Sequence, residues 1–257
     1  MSEVLAPHVL PPGSRAVPVA ASTLPPGVGV AVLAAVAVVG VLLAAAPGQP
    51  GFRILLGALA VFAAVSAVLL VPWTRAVETG RVRLDPDADA LRFVAPRALP
   101  VGMLALAVVA LAAGVLALVL RLAGVAGASE VGIGAVGPLA LGAVGLGWLG
   151  QQLLALRVPA GLTLDADGIR GVRGTRQVDI AWHDLAGVDV LAARGARLVL
   201  TPRDAGPVVL DPHWFGSDPN VVAVVIAHFR DHPADRSALA DGRTAIRVVE
   251  EAVSPRA

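Results

Sequence analysis

Four runs of the chain carry apolar residues at almost every position: Val28 to Ala46, Ile54 to Trp73, Val101 to Leu120 and Val131 to Leu156. None contains Asp, Glu, Lys, Arg or His. Each is long enough for a helix that crosses a membrane, which takes about 20 apolar residues for about 30 Å of hydrocarbon. Runs with no polar face to show water predict membrane spans rather than helices of a soluble fold. Arg53, Arg75, Arg97, Arg121, Glu130 and Arg157 mark their borders. Pro47-Gly48-Gln49-Pro50-Gly51 predicts a tight first connection, and Ala123 to Ser129 a short third one.

Elsewhere the period falls from helical to alternating. The loop between the second and third runs contains RVRLDPDADALRF, Arg81 to Phe93, and the region after the fourth run begins with LTLDADGIRGV, Leu162 to Val172. Both enter an Asp-x-Asp turn from an apolar-polar-apolar stretch and leave it through an apolar-Arg pair, Leu91-Arg92 and Ile169-Arg170. The pattern reads as an internal repeat of two membrane helices followed by a β-hairpin. Further strands are expected at Gln177 to Trp182, Val188 to Ala192, Arg197 to Leu200 and Val208 to Leu210. In the first of these Val178, Ile180 and Trp182 share one face, so Trp182 is expected in the core. Ser217-Asp218-Pro219 predicts a helix start, and the helix should end before Pro233.

These segments divide the chain into a disordered, Pro-rich arm over 1–26, a four-helix transmembrane domain over 27–157 with a cytoplasmic hairpin loop at 75–99, a folded domain over 158–233, and a partly helical tail over 234–257. The arm lacks the basic start and immediate apolar run of a signal peptide, so the first span is expected to be retained. Because an isolated hairpin is marginal in water, Val82, Leu84, Leu91 and Phe93 are expected to dock on the folded domain.

Composition supports the membrane reading, since 56% of the residues are hydrophobic and 15% charged, against about 25% charged in soluble domains. With no Cys there is no disulfide, thiolate nucleophile or Cys-ligated metal. A formal charge of +1 argues against nucleic acid as a partner. Arg15, Arg75, Arg81, Arg83, Arg92, Arg97 and Arg157 fall on one side of the predicted spans, and only Arg53 and Arg121 on the other. Basic loops stay inside, which puts both termini in the cytoplasm and the protein in the plasma membrane as a multi-pass species.

The candidate chemistry is sparse. The spans hold no ionisable group, which argues against ion-coupled transport by this chain alone. Gly132 to Gly137 matches the dinucleotide pattern G-x-G-x-x-G but follows no strand. Small residues, with Ala143 and Gly147 at the same spacing, are better explained as a surface for close helix approach, including that of a second copy of the chain in a homo-oligomer. Asp85-Pro86-Asp87-Ala88-Asp89 lacks the Gly and Glu of a calcium loop, having Ala90 and Pro96 there, and reads as a solvated turn. His228 and His232 are four apart without the Glu of a zinc-protease motif.

From Gly161 to Pro233 the chain resembles the bacterial pleckstrin-homology-like (PH-like) domains carried by small membrane proteins. The resemblance rests on Leu162-Thr163-Leu164 leading to Asp167-Gly168-Ile169, on Ile180-Ala181-Trp182, on Asp184-Leu185-Ala186-Gly187-Val188, and on the final helix. It implies a seven-strand, partly open barrel capped by a helix, used for binding or assembly, with no common catalytic residue. In eukaryotic relatives, basic residues around the first strands bind phosphoinositides. In this setting His183-Asp184 is a corner after the third strand of the domain rather than half of a catalytic dyad, since neighbours in a strand point to opposite faces.

The expected fold class is therefore an α+β membrane protein, with four transmembrane helices and a C-terminal PH-like small β-barrel or sandwich capped by one helix. The expected function is non-enzymatic, a cytoplasmic binding or scaffolding module for a protein partner. No catalytic, cofactor or metal residue is assigned. Arg157, Arg170, Arg173 and Arg176 are the candidates for contact with anionic phospholipid or partner, each contributing about 1 kcal/mol if it faces the inner leaflet. The alternatives are an accessory subunit of a transport or envelope-synthesis complex, and a membrane-bound enzyme with an unrecognised cytoplasmic site.

Overall fold

A computed structural model describes residues 2–10, 16–19, 26–125, 133–158, 160–172, 177–193, 195–253. The fold is α+β, with two antiparallel sheets. The chain forms two compact units. One comprises Leu24–Thr74 and Arg97–Leu154; the other gathers Met1–Thr23, Arg75–Pro96 and Ala155–Ala257.

The helical unit contains α1 (Pro26–Ala45), α2 (Pro50–Thr74), α3 (Ala98–Leu122) and α4 (Ile133–Ala155). Three segments are long and apolar enough to cross a membrane, Val28–Ala45, Pro50–Thr74 and Ala98–Leu122, the mark of a membrane protein. α4 is rich in glycine, and these glycines set its packing. A Cβ at Gly114 of α3 would lie 2.4 Å from the Gly142 Cα, and one at Gly145 only 2.6 Å from the Leu111 nitrogen, so α3 and α4 touch backbone to backbone. Close approach through small residues was the expectation, but the pair in contact within the chain is Gly142 and Gly145. Ala143 is exposed, and a Cβ at Gly147 would meet nothing within 4 Å.

The second unit is built on the alternation seen in the sequence. Its strands β1 (Glu3–Leu5), β2 (Val82–Leu84), β3 (Leu91–Phe93), β4 (Leu162–Leu164), β5 (Gly168–Gly171) and β6 (Val178–Ala181) form one six-stranded sheet in that order. The middle loop therefore does not hang free. β3 pairs with β4 in the register Leu91↔Leu164, Arg92↔Thr163 and Phe93↔Leu162. The inward face carries Val82, Leu84, Leu91, Phe93, Leu162, Leu164, Ile169, Val178 and Ile180, all buried. Full burial of a side chain of this kind stabilises by about 1.5–3 kcal/mol, which is why a hairpin too small to fold alone is ordered here.

The two hairpins of the repeat share their turn chemistry. The Asp85 Oδ1 accepts from the Asp87 N–H at 3.4 Å, and the Asp165 Oδ1 from the Asp167 N–H at 2.9 Å. In each, the Arg after the turn pairs with the first Asp, Arg92 with Asp85 at 3.5 Å and Arg170 with Asp165 at 3.4 Å.

A short turn, Trp182–Asp184, leads to the second sheet, β7 (Leu185–Ala193), β8 (Gly195–Pro202) and β9 (Val208–Leu210). Then α5 (Pro219–Asp231) lays Val221, Val222, Val225, Ile226 and Phe229 into the core and contacts β7 and β8. The helix α6 (Gly242–Val253) adds Ala245, Ile246 and Val249 to the same core.

Two expectations about boundaries need correction. The arm over 1–26 is not disordered throughout: β1 pairs with β2, and Val9 is fully buried in the core. Its periodicity is too short to read because only three residues are in the strand, and their order comes from the partner edge. Nor does the folded body stop at Pro233, since α6 completes the core.

Candidate functional site

The buried polar side chains among the described residues are Ser217, Asp218 and Asn220. They lie together at the start of α5. Asp218 is its N-cap, with Oδ1 accepting from the Asn220 N–H at 2.9 Å and from the Asn220 Nδ2 at 2.8 Å. Its Oδ2 accepts from the Gly80 N–H at 2.6 Å, and its own N–H donates to the Arg81 carbonyl at 2.9 Å. The Ser217 hydroxyl accepts from the Arg83 N–H at 2.9 Å and donates to the Phe215 carbonyl at 3.1 Å. Asn220 reaches the other way: its Oδ1 accepts from the Val17 N–H and its Nδ2 donates to the Val17 carbonyl, both at 2.9 Å. One buried cluster thus ties the N-terminal arm and the inter-helix loop to α5. Buried polar groups satisfied this completely fix one geometry, because each lost partner would leave a desolvated donor or acceptor.

Just before this cluster Gly216 has φ +60°, and a Cβ there would lie 2.5 Å from the Val94 carbonyl oxygen. Only glycine lets the chain pass so close to the loop. Sequence reading saw Ser217-Asp218-Pro219 as a helix start and missed the cluster. The signal available was Asn220 beside Asp218, two polar residues heading an apolar helix.

The candidate Arg residues do not form one site among the described residues. Arg157 is exposed just beyond α4. Arg170 lies on the outward face of the sheet in a cross-strand row with Arg92, Thr163 and Asp179. Its guanidinium meets Asp165 at 3.4 Å, Asp167 at 3.7 Å and Asp179 at 3.4 Å. Three carboxylates around one guanidinium leave no surplus positive charge for an anionic membrane. Arg173 and Arg176 lie outside the described residues.

His183 and Asp184 sit in the corner turn, with the His183 Nε2 3.3 Å from the Asp184 Oδ1 and 83% of the His183 side chain exposed. What holds the corner is Trp182, which is buried and donates its Nε1–H to the Asp165 carbonyl at 2.8 Å. His228 contacts Asp235 through Nε2 at 2.9 Å, and its ring stacks on that of His232 at 4.5 Å.

Comparison of the chain with family models, with curated proteins and with solved structures returns no match.

Proposed function

We propose that this protein is a four-span protein of the plasma membrane whose arm, middle loop and C-terminal region make one cytoplasmic PH-like body, a binding or scaffolding platform for a protein partner. The observation that carries the reading is the pairing of strands from three separated stretches in one sheet, β1 with β2 and β3 with β4. Segments that share a sheet lie on one side of a bilayer. Between Phe93 and Leu162 the chain leaves through α3 and must return, and α4 is the segment available to do so. At 23 residues and about 1.5 Å per residue it is long enough to cross. The Arg distribution favours the cytoplasm for that side, since Arg75, Arg81, Arg83, Arg92 and Arg97 lie there and Arg53 and Arg121 lie opposite.

A platform reading is supported by the way the body is stitched. A core shared by both sheets, α5 and α6, together with the Ser217, Asp218 and Asn220 cluster, makes a rigid surface joined to the helices by several strands of chain. Anionic lipid at the exposed Arg157 is an accessory contact in this picture. The exposed Ala143 and Gly147 of α4 offer small-residue spacing to a second copy.

The topology is tested with single cysteines at Gln49, Ala88 and Ser237 in this Cys-free chain. An impermeant thiol reagent on intact cells should label the Gln49 position alone; labelling at Ser237 removes the cytoplasmic platform. The platform itself is tested by purification in mild detergent, where a stoichiometric protein partner should accompany the full chain.

A further inference from the structure

The corner turn, the start of β7, the end of β8 and the C-terminal end of α5 enclose a groove of about 560 Å³. Arg203, Arg230 and Arg236 line it together with Asp231, over the buried Trp182 and Leu185. Each guanidinium is held in place by the chain around it. Arg203 donates from Nε to the His183 carbonyl at 2.9 Å. Arg236 donates from Nε to the Phe229 carbonyl at 2.8 Å and from a terminal nitrogen to the Arg230 carbonyl at 3.2 Å, and it lies 5.0 Å over the Trp182 ring.

The charges differ in what answers them. Arg230 is gripped by Asp231 through two bonds, 2.7 and 2.9 Å, and its charge is answered there. Arg203 and Arg236 spend bonds on carbonyl groups, which leave their charge intact, and have no carboxylate partner among the described residues. On the outer sheet face the opposite holds, where Arg92 and Arg170 are matched by acids. Two guanidinium groups without a carboxylate partner therefore line one groove. The two unmatched cations, Arg203 just past β8 and Arg236 in the turn beyond α5, come from separate segments of chain and suit carboxylates spaced along a peptide better than a single headgroup.

We propose that this groove binds an acidic peptide segment, with carboxylate side chains paired to Arg203 and Arg236. The proposal rests on the platform reading and names the chemistry of its partner.

The full chain in mild detergent is titrated against a fluorescein-labelled decapeptide of alternating Glu and Val, read by fluorescence anisotropy. Saturable binding is expected, weakening as salt rises. Arg203→Gln and Arg236→Gln should each weaken it roughly tenfold, and Arg170→Gln should leave it unchanged. Ala186→Glu keeps every Arg and its bonds while placing a carboxylate in the groove, and should abolish binding; it decides the matter alone if the Arg variants unfold. No binding by the wild type, or equal binding by wild type and Ala186→Glu, overturns the proposal. So does displacement of the peptide by a lower concentration of soluble short-chain phosphatidylglycerol, which would make the groove a lipid site. If a protein partner copurifies equally well with wild type and Ala186→Glu, the groove is not its site and the platform reading stands. If no partner accompanies the wild type while the peptide still binds, the platform reading falls and the groove remains.

Discussion

At the scale of single residues, the neighbours Trp182 and His183 have opposite fates. The alternation of Val178, Ile180 and Trp182 marks Trp182 as inward-facing, and its burial and its bond to the Asp165 carbonyl make it the closure of the β4–β5 turn. Trp182→Ala should destabilise the protein by about 3–5 kcal/mol, because a large apolar group and a buried donor go together. His183→Ala removes a side chain that is 83% exposed and should change stability by less than about 0.5 kcal/mol. Thermal unfolding of the detergent-solubilised protein checks both; equal midpoints for the two variants would refute the corner assignment. Asp218 and Asn220 were not legible in this way. A helix cap is a local pattern, whereas the Asn220 contact with Val17 spans 203 positions, and no local period encodes a partner that distant.

At the scale of elements, short-range order was the part the sequence carried best. Apart from β1, the strands lie where alternation put them, and the D-x-D repeat recurs as two hairpins with the same turn bonds, since both depend on residues within a few positions of each other. The α3–α4 contact was legible only as small residues, not as the particular pair. Gly142→Leu should destabilise the helical unit by about 1–3 kcal/mol through overpacking against Gly114, whereas Gly147→Leu, with space around it, should not. Unfolding in detergent separates them. The start of α6 makes a different prediction. The Asp241 Oδ2 accepts from the Thr244 hydroxyl at 2.5 Å and from the Thr244 N–H at 3.1 Å, and these bonds, the hydroxyl first, hold the carboxyl below its ordinary pKa. A depressed folded pKa contributes stability that is present above the unfolded pKa and is lost as pH falls through the folded one. Amide exchange in α6 should therefore accelerate, relative to α5, on acidification below the ordinary carboxylate range. In Asp241→Asn that pH-dependent difference should vanish.

At the scale of the whole molecule, the arm changes what the sheet is. Without β1 the sheet would have five strands and present an unpaired edge at β2, and β1 covers that edge in the register Glu3↔Leu84, Val4↔Arg83 and Leu5↔Val82. Described residues of the arm are fastened at further, independent points. Arg243 donates to the Glu3 carboxylate at 2.8 Å, the His8 N–H to Glu250 at 2.9 Å, and the Ala196 N–H to the Pro18 carbonyl at 3.1 Å, while Val9 enters the core. Its prolines and lack of period hid this, because a segment ordered by the surface it crosses needs no pattern of its own. Deleting residues 2–19 should leave the helical unit intact but expose the β2 edge, the cavity left by Val9 and the unsatisfied Asn220 side chain. Hydrogen exchange on the detergent-solubilised protein should then show lost protection at Val82 and Leu84 and at the first turn of α5, with α2 and α3 unaffected. The unpaired edge should also make the truncated protein self-associate at concentrations where the full chain does not. Unchanged exchange at Val82 and Leu84 after the deletion would mean that the arm is a passenger on the sheet rather than one of its strands.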